Sequence, residues 1–342
     1  MLSVRFDEAY KVSFHEIEAP LLKNNEVLLK MLRIGVCGTD IQVYMGKNKF
    51  MKFPIVPFHE GIAEIVEIGN GVKGLSLGDR VVVEPLVPCG KCRPCEIGRY
   101  NACDEFTCLG VQTGGLGSEY FAISSKYIHK IPNELPLEKA VLIEPFAVGV
   151  HAAKRGNVKG ANVLVVGAGT IGNFTAQAAK ALGAKKVVVT DISEFKIELA
   201  QKCGIESCVN TSNISLKQVI SENFGKWGAD IIIDCVGAKR TFEEILHAAG
   251  KVTTIVIVGN HKEPVEIDLT RIQRDELDIK GNITYTKEDF MDAIDWIASD
   301  KICTDGFITN NYNIRETDKA MENAINEPHK VMKTMICFDS LL

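Results

Sequence analysis

Apolar and polar positions along the chain change rhythm near residue 150. Before that point, short apolar runs broken by glycine and proline predict strands, in EVLLKMLRIGVC, GIAEIVEIGNGV and GDRVVVEP, with turns at Gly69 to Gly71 and at Gly78-Asp79. From Asn162 the order becomes strand, glycine turn, helix, strand. VLVV at 163 to 166 predicts a buried strand, IGNFTAQAAKAL a helix stopped by Gly183, and KKVVVTD at 185 to 191 the next strand. A second helix is expected over 193 to 203, stopped by Gly204, with DIIIDCVG and KVTTIVIVG as later strands. After Thr284 come two amphipathic helices, KEDFMDAIDWIAS and RETDKAMENAIN, and a final strand-like VMKTMICF. Alternation of this kind specifies a parallel, doubly wound sheet, so the chain is α/β with a mostly β domain ahead of it.

Composition narrows the function without changing that layout. At 342 residues, 46% hydrophobic and 24% charged, the chain has room for two domains with cores. A net charge of -5 without a basic cluster offers no footprint for nucleic acid or an anionic membrane surface. No apolar stretch approaches the roughly twenty residues of a membrane span. Small-molecule chemistry is the expectation.

Four of the eleven cysteines fall in PCGKCRPCEIGRYNAC, at Cys89, Cys92, Cys95 and Cys103. This C-x2-C-x2-C-x7-C spacing can close a tetrahedral thiolate shell around one structural zinc. An iron–sulfur run opens similarly, but its fourth cysteine follows after three residues and precedes proline; here the gap is seven and Asp104 follows. The amino terminus MLSVRFDEAY has no apolar signal segment, which argues against a disulfide framework and for a reducing, cytoplasmic setting. The remaining cysteines, Cys108 among them, read mostly as small buried apolar residues.

The turn Gly167-Ala168-Gly169-Thr170-Ile171-Gly172 lies directly between a strand and a helix, the context that the dinucleotide fingerprint requires. Gly167 allows the tight turn, Gly169 the approach of a pyrophosphate, and Gly172 close packing of helix on strand, with the helix N-terminus attracting the phosphate charge. Asp191 ends the next strand, where it can accept both adenosine ribose hydroxyls and repel a 2′-phosphate, favouring NAD over NADP. The same residue could instead cap the following helix. Lys196 is close enough in sequence to reach the same ribose.

A third group is dispersed: Cys37 in GVCGTD, His59-Glu60 in PFHEG and Glu144 in LIEPF. One thiolate, one imidazole and carboxylates suit a zinc with an open position. Each residue also has an ordinary structural reading, as buried thiol, core histidine or salt-bridge partner. Taken with GDRVVVEP, LGVQTGGLGSEYF, EPFAVGVHA, GAGTIG and KVMKTMICF, they make the whole chain resemble the zinc-containing medium-chain alcohol and polyol dehydrogenases.

That resemblance implies a GroES-like catalytic domain from residues 1–149 and 284–342, with a structural zinc lobe at 86–106, a Rossmann NAD-binding domain at 150–283, and catalysis between them. It implies two zinc ions per chain and NAD as cofactors, a small-molecule alcohol as substrate, no nucleic-acid or membrane partner, and a homodimer or homotetramer. Cys37, His59 and Glu60 or Glu144 would hold the catalytic zinc, Thr39 would pass the alcohol proton outward, and the backbone at Val258 and Gly259 would touch the nicotinamide. Glu144 at the EPF position looks like the sorbitol, galactitol-phosphate and sugar-acid branch, and most like dehydrogenases that oxidise L-galactonate.

Four positions depart from the family pattern. Phe58 precedes His59 where glycine is usual, and Ala63 replaces another glycine, so a differently packed backbone is expected beside the metal. Gln42 stands where many relatives end a proton relay with histidine, and Ile283 where sugar-oxidising relatives often carry arginine. Ile283 and Tyr285 favour L-threonine or a short diol such as 2,3-butanediol as the alternative substrate. A quinone reductase of the same superfamily would lack both zinc sites. A non-catalytic NAD-binding sensor would be expected to lose the catalytic ligands, which this chain keeps.

Overall fold

The apolar runs on either side of residue 150 build two different sheets, because those of the first part alternate in burial while those of the second are buried on both faces. The computed structural model describes residues 1–339 and divides into two units, Met1–Glu144 with Gly306 onward, and Pro145–Asp305.

The first unit is organised on a seven-stranded sheet. Its long central strand, Glu26–Val36, pairs antiparallel with Glu60–Ile68 on one side and with the last strand of the chain, Lys333–Cys337, on the other. Arg80–Val83 and Ile128–Lys130 extend one edge, Ile308–Asn313 lies beyond the terminal strand, and Tyr120–Ser124 pairs with the first half of the central strand. Val27, Leu29, Met31, Ile34, Ala63, Ile65 and Val81 meet Phe6, Phe58 and Met321 in one continuous core. Register decides what lies beside what: Gly35 faces Glu60 and Val36 faces Thr334. Residues near 35, 60 and 333 therefore converge at one end of three adjacent strands. The hairpin Leu2–Glu8 with Lys11–Glu16, which the sequence pattern did not signal, packs Leu2, Val4 and Phe6 into that core.

The second unit carries the expected parallel sheet. Six strands run in the order Ser207–Asn210, Lys186–Asp191, Asn162–Val166, Ile231–Asp234, Thr254–Ile257, Asp278–Gly281. Strands such as NVLVV and IIID carry one polar residue at an end and otherwise unbroken apolar runs, because helices can cover both faces of a parallel sheet. The expected helices are present as Thr170–Ala181, Glu194–Lys202 and Lys287–Ala298.

Residues 284–305 fall in this second unit, whereas the resemblance assigned them to the first. Buried polar contacts account for the difference. Asp289, in the first turn of Lys287–Ala298, lies 2.6 Å from His151 Nδ1 and 2.8 Å from Lys154 Nζ, both on the helix Ile143–Gly156. Burial opposes its ionisation, but hydrogen bonds from His151, Lys154 and Thr286 hold the Asp289 carboxyl well below the usual range. A carboxylate so enclosed binds its helix to the unit that supplies the donors.

Candidate functional site

Cys37 follows the end of the central strand and stands at the N-terminus of the helix Gly38–Tyr44, where the carboxylate of Asp40 turns back to accept its backbone N–H at 2.8 Å. Asp40 is fully buried, and its other oxygen lies 3.3 Å from His59 Nδ1, without the alignment of a hydrogen bond. His59 directly precedes the strand Glu60–Ile68. Glu60 begins that strand and extends over Gly35, where a Cβ would stand 2.1 Å from Glu60 Oε2. A side chain at 35 would push the Glu60 carboxylate out of this place. One donor atom each from Cys37, His59 and Glu60 lies within 4.8 Å of the others, a set able to hold one metal ion.

Local charge favours a cation there. Burial alone would discharge the His59 ring, yet the Asp40 carboxylate, followed by the hydrogen bond with Cys37, outweighs it and raises the imidazole well above its ordinary range. A histidine that turns one nitrogen toward a buried carboxylate keeps the other for a metal. The thiolate, imidazole and carboxylate donors fit zinc.

Two further residues belong to this neighbourhood, and neither was singled out from the sequence. Lys333 is buried at the start of the terminal strand, and its ammonium donates to both Glu60 oxygens, at 2.7 and 2.8 Å, and to Val36 O at 3.3 Å. Burial opposes its charge, but Glu60 and then Cys37 prevail and raise its pKa. The one signal available was a lysine inside the apolar run VMKTMICF. Cys108 is within electrostatic reach of His59, Glu144, Asp40 and Cys37; burial pushes its thiol up to about 12, so it stays protonated.

The other expected residues are placed as follows. Thr39 lies half-buried next to Cys37 in the first turn of its helix, and Gln42 lies one turn further on. Glu144 is buried in the first turn of Ile143–Gly156. It does not join the three-residue donor set, although both Lys333 and Cys108 sense its charge. Phe58 adopts φ +77°, the left-handed conformation that glycine takes without strain, at a cost of order 1–3 kcal/mol. Its ring is fully buried, edge-on to Phe6 at 6.0 Å, and that burial offsets the strain. Tyr285 is also wholly buried, packed on Phe290, so it cannot favour a short diol by touching substrate; Ile283 is half-exposed.

In the lobe, the four sulfurs of Cys89, Cys92, Cys95 and Cys103 lie within 4.8 Å of one another. Cys92 Sγ is 3.4 Å from Cys95 Sγ and 3.7 Å from Cys103 Sγ, near the spacing of about 3.8 Å that tetrahedral Zn–S bonds of about 2.3 Å impose. The backbone N–H of Cys89 points at Cys103 Sγ at 3.2 Å. The N–H of Asp104 draws Cys92 down to about 7, while burial and the hydrogen bond with Cys92 push Cys95 up to about 12. Thiols that divide protons this unevenly become a full thiolate set once a cation replaces those protons.

In the second unit, Gly169 is the N-cap of Thr170–Ala181, which Thr170 and Ile171 begin. A Cβ on Gly172 would stand 1.8 Å from Gly167 O, so the turn and helix can meet there only without a side chain. This is the cradle that a pyrophosphate needs. Asp191 Oδ2 accepts the N–H of Ala168 at 2.7 Å and Oδ1 that of Ser193 at 2.9 Å, so it joins the glycine turn to the next helix, whose N-cap is Ser193. Lys196 is half-buried on that helix. Val258 and Gly259 directly follow strand Thr254–Ile257.

A dinucleotide cradle in one unit and a thiolate–imidazole–carboxylate set in the other define a zinc-dependent oxidoreductase acting on CH–OH groups. Residues 23–133 match the alcohol dehydrogenase GroES-like domain and residues 170–299 the zinc-binding dehydrogenase family. The chain is 30% identical to sorbitol dehydrogenase of Bacillus subtilis over 95% of its length and 94% of that protein. It is 36% identical to L-threonine 3-dehydrogenase of Burkholderia ambifaria over 80% of both. An alcohol dehydrogenase of Escherichia coli solved with NADH superposes with a TM-score of 0.92 at 31% identity, covering 99% of both chains. The chain belongs to the zinc-type medium-chain alcohol dehydrogenase family.

Proposed function

We propose that the protein oxidises a secondary alcohol of a polyol, sugar or sugar acid to a ketone, with hydride transfer to NAD. The observation that carries this reading is the donor set Cys37, His59 and Glu60, in which a carboxylate stands beside one thiolate and one imidazole. Similarity to sorbitol dehydrogenase supports the polyol class.

Cys37 Sγ, His59 and Glu60 would hold the catalytic zinc, with Glu144 as a second carboxylate in reserve, and the four lobe cysteines a structural one. Gly167, Gly169, Thr170, Ile171 and Gly172 would hold the pyrophosphate of NAD, Asp191 and Lys196 its adenosine ribose, and Val258 and Gly259 its nicotinamide. When bound, zinc supplies a Lewis-acid charge and NAD a hydride-accepting ring. Asp40 orients His59 and so the donor set. Thr39 Oγ1 accepts the substrate hydroxyl proton and hands it toward solvent, since Gln42 has no titrating group to receive it. The carbinol carbon loses hydride, and the products are ketone, NADH and the released proton. A cytoplasmic setting that keeps the lobe thiols reduced, and a homodimer or homotetramer, complete the proposal.

L-Threonine or a short diol is the second reading, favoured by the similarity to L-threonine 3-dehydrogenase and by the half-exposed Ile283 in place of an arginine that would pair with an anionic substrate. NADH production from a panel of hexitols, aldonates, 2,3-butanediol and L-threonine separates the two. Highest kcat/KM on a hexitol or aldonate is expected; highest on threonine or butanediol would overturn the polyol reading. The cofactor preference has its own test. Asp191→Asn keeps one acceptor for the adjoining backbone but removes the charge, and should raise KM for NAD by about 5- to 150-fold, as expected for about 1–3 kcal/mol of charge-assisted hydrogen bonding. The ratio of NADP to NAD efficiency should rise, and unchanged kinetics with both cofactors would leave Asp191 a purely structural link.

A further inference from the structure

The second unit buries a carboxylate that the reaction above does not use. Asp234, the last residue of strand Ile231–Asp234, is fully buried. Its Oδ1 accepts the N–H of Val236 at 2.9 Å and of Gly237 at 3.1 Å, its carbonyl accepts those of Val258 and Gly259, each at 2.9 Å, and Oδ2 lies 2.8 Å from His261 Nε2. A buried carboxylate needs donors, and all of these come from two loops: the turn after its own strand and the segment after the neighbouring strand Thr254–Ile257.

The two loops touch backbone to backbone. A Cβ on Gly259 would stand 2.2 Å from Gly237 N, and one on Gly237 2.6 Å from Asn260 N. The glycine turn joins them, since a Cβ on Gly167 would stand 2.8 Å from Val236 Cγ2. All three loops leave the carboxyl ends of adjacent strands, the edge at which doubly wound sheets bind dinucleotides. His261 makes the side-chain tie between the Asp234 carboxylate and the later loop. Phe242, on the helix Lys239–Ala248, sets its ring edge-on to the imidazole at 5.2 Å and 79°. His261 Nδ1 is buried with no hydrogen-bond partner among the described residues, so Nε2 carries the tie.

We propose that His261 is a positioning residue for the dinucleotide: its bond to Asp234 fastens residues 258–261 against the 235–237 turn and so fixes the backbone of Val258 and Gly259 for the nicotinamide end of NAD. The inference rests on the reading that this edge binds NAD. It assigns His261 to one half of the cofactor, because the adenosine half would be held at Asp191 and the helix N-terminus.

Three variants test it: His261→Ala, His261→Phe, which keeps a ring without Nε2–H, and His261→Gln, which keeps an N–H donor. NADH affinity is measured by fluorescence, AMP affinity by calorimetry, and the cofactor-free protein is melted. His261→Ala and His261→Phe should weaken NADH by about tenfold, the weight of one charge-assisted hydrogen bond, with AMP affinity unchanged, and should lower the cofactor-free melting temperature because buried Asp234 loses a donor. His261→Gln should recover most of the loss. NADH affinity equal to wild type in the phenylalanine variant would overturn the proposal, as would equal weakening of NADH and AMP, which marks a purely structural role. If the alanine variant does not fold, the phenylalanine and glutamine pair carries the test. Wild-type protein that binds no NADH would overturn the NAD reading itself.

Discussion

Cys37→Ser is expected to leave the protein folded, to remove one of two zinc ions and to cut turnover by about three orders of magnitude or more. Losing the Lewis-acid contribution removes several kcal/mol of charge stabilisation, and each 1.4 kcal/mol is about tenfold in rate. Folding should survive because Cys37 is one half-buried residue at a helix start, while the core of its unit is built elsewhere from Val27, Leu29, Ile34 and their neighbours. Cys95→Ser should behave in the opposite way. It also removes one zinc, but from a short lobe whose few turns have little core of their own, so binding energy there is folding energy and the loss should be of order several kcal/mol. Metal analysis with denaturant unfolding checks both. A wild-type protein with iron, or with a single metal, would overturn the two-zinc reading.

Lys333→Met should destabilise the zinc-free protein by about 3–5 kcal/mol, the usual result of removing one partner from a buried ion pair. Glu60 would be left buried, with both oxygens deprived of the donor that now holds them. Zinc on Cys37, His59 and Glu60 would supply a replacement cation, so the same substitution should cost less in zinc-loaded protein. Urea unfolding with and without a chelator measures the difference, and the lobe cancels because both proteins share it. Equal losses in the two conditions would show that Glu60 does not engage the metal. Lys333→Arg, which keeps the charge, should lie much closer to wild type than Lys333→Met.

The two predictions differ in how far their residues could be foreseen. Cys37, His59 and Glu60 were legible because their motifs occur in a recognisable order, GVCGTD, then PFHEG, then the cysteine lobe. Lys333 lies 273 residues from Glu60 and meets it only through strand register, across a central strand that bears glycine at the crossing point. Nothing within either segment encodes that pairing. Asp40 was nearer at hand, three residues after Cys37, but its orientation toward His59 depends on where the next strand begins.

Phe58 shows a different limit. The departure from glycine was visible, yet the outcome depended on whether a phenyl ring could be accommodated beside a left-handed backbone, and Phe6 makes that possible. Tyr285 shows the same limit: a tyrosine near a strand end can face substrate or core, and here it is core. The boundary near residue 284 was set by Asp289 reaching His151 and Lys154, contacts that no local pattern announces.

The sequence by itself determined the parallel sheet, the glycine turn and the four-thiolate lobe, because each depends on interactions between residues close in the chain: apolar periodicity, a strand-to-helix turn and ligand spacing. The tertiary structure alone decided which carboxylate joins Cys37 and His59, which ammonium holds it, and how His261 reaches Asp234. Those are contacts between side chains on different strands and loops, and their geometry comes from register and from the glycines that let backbones and side chains approach.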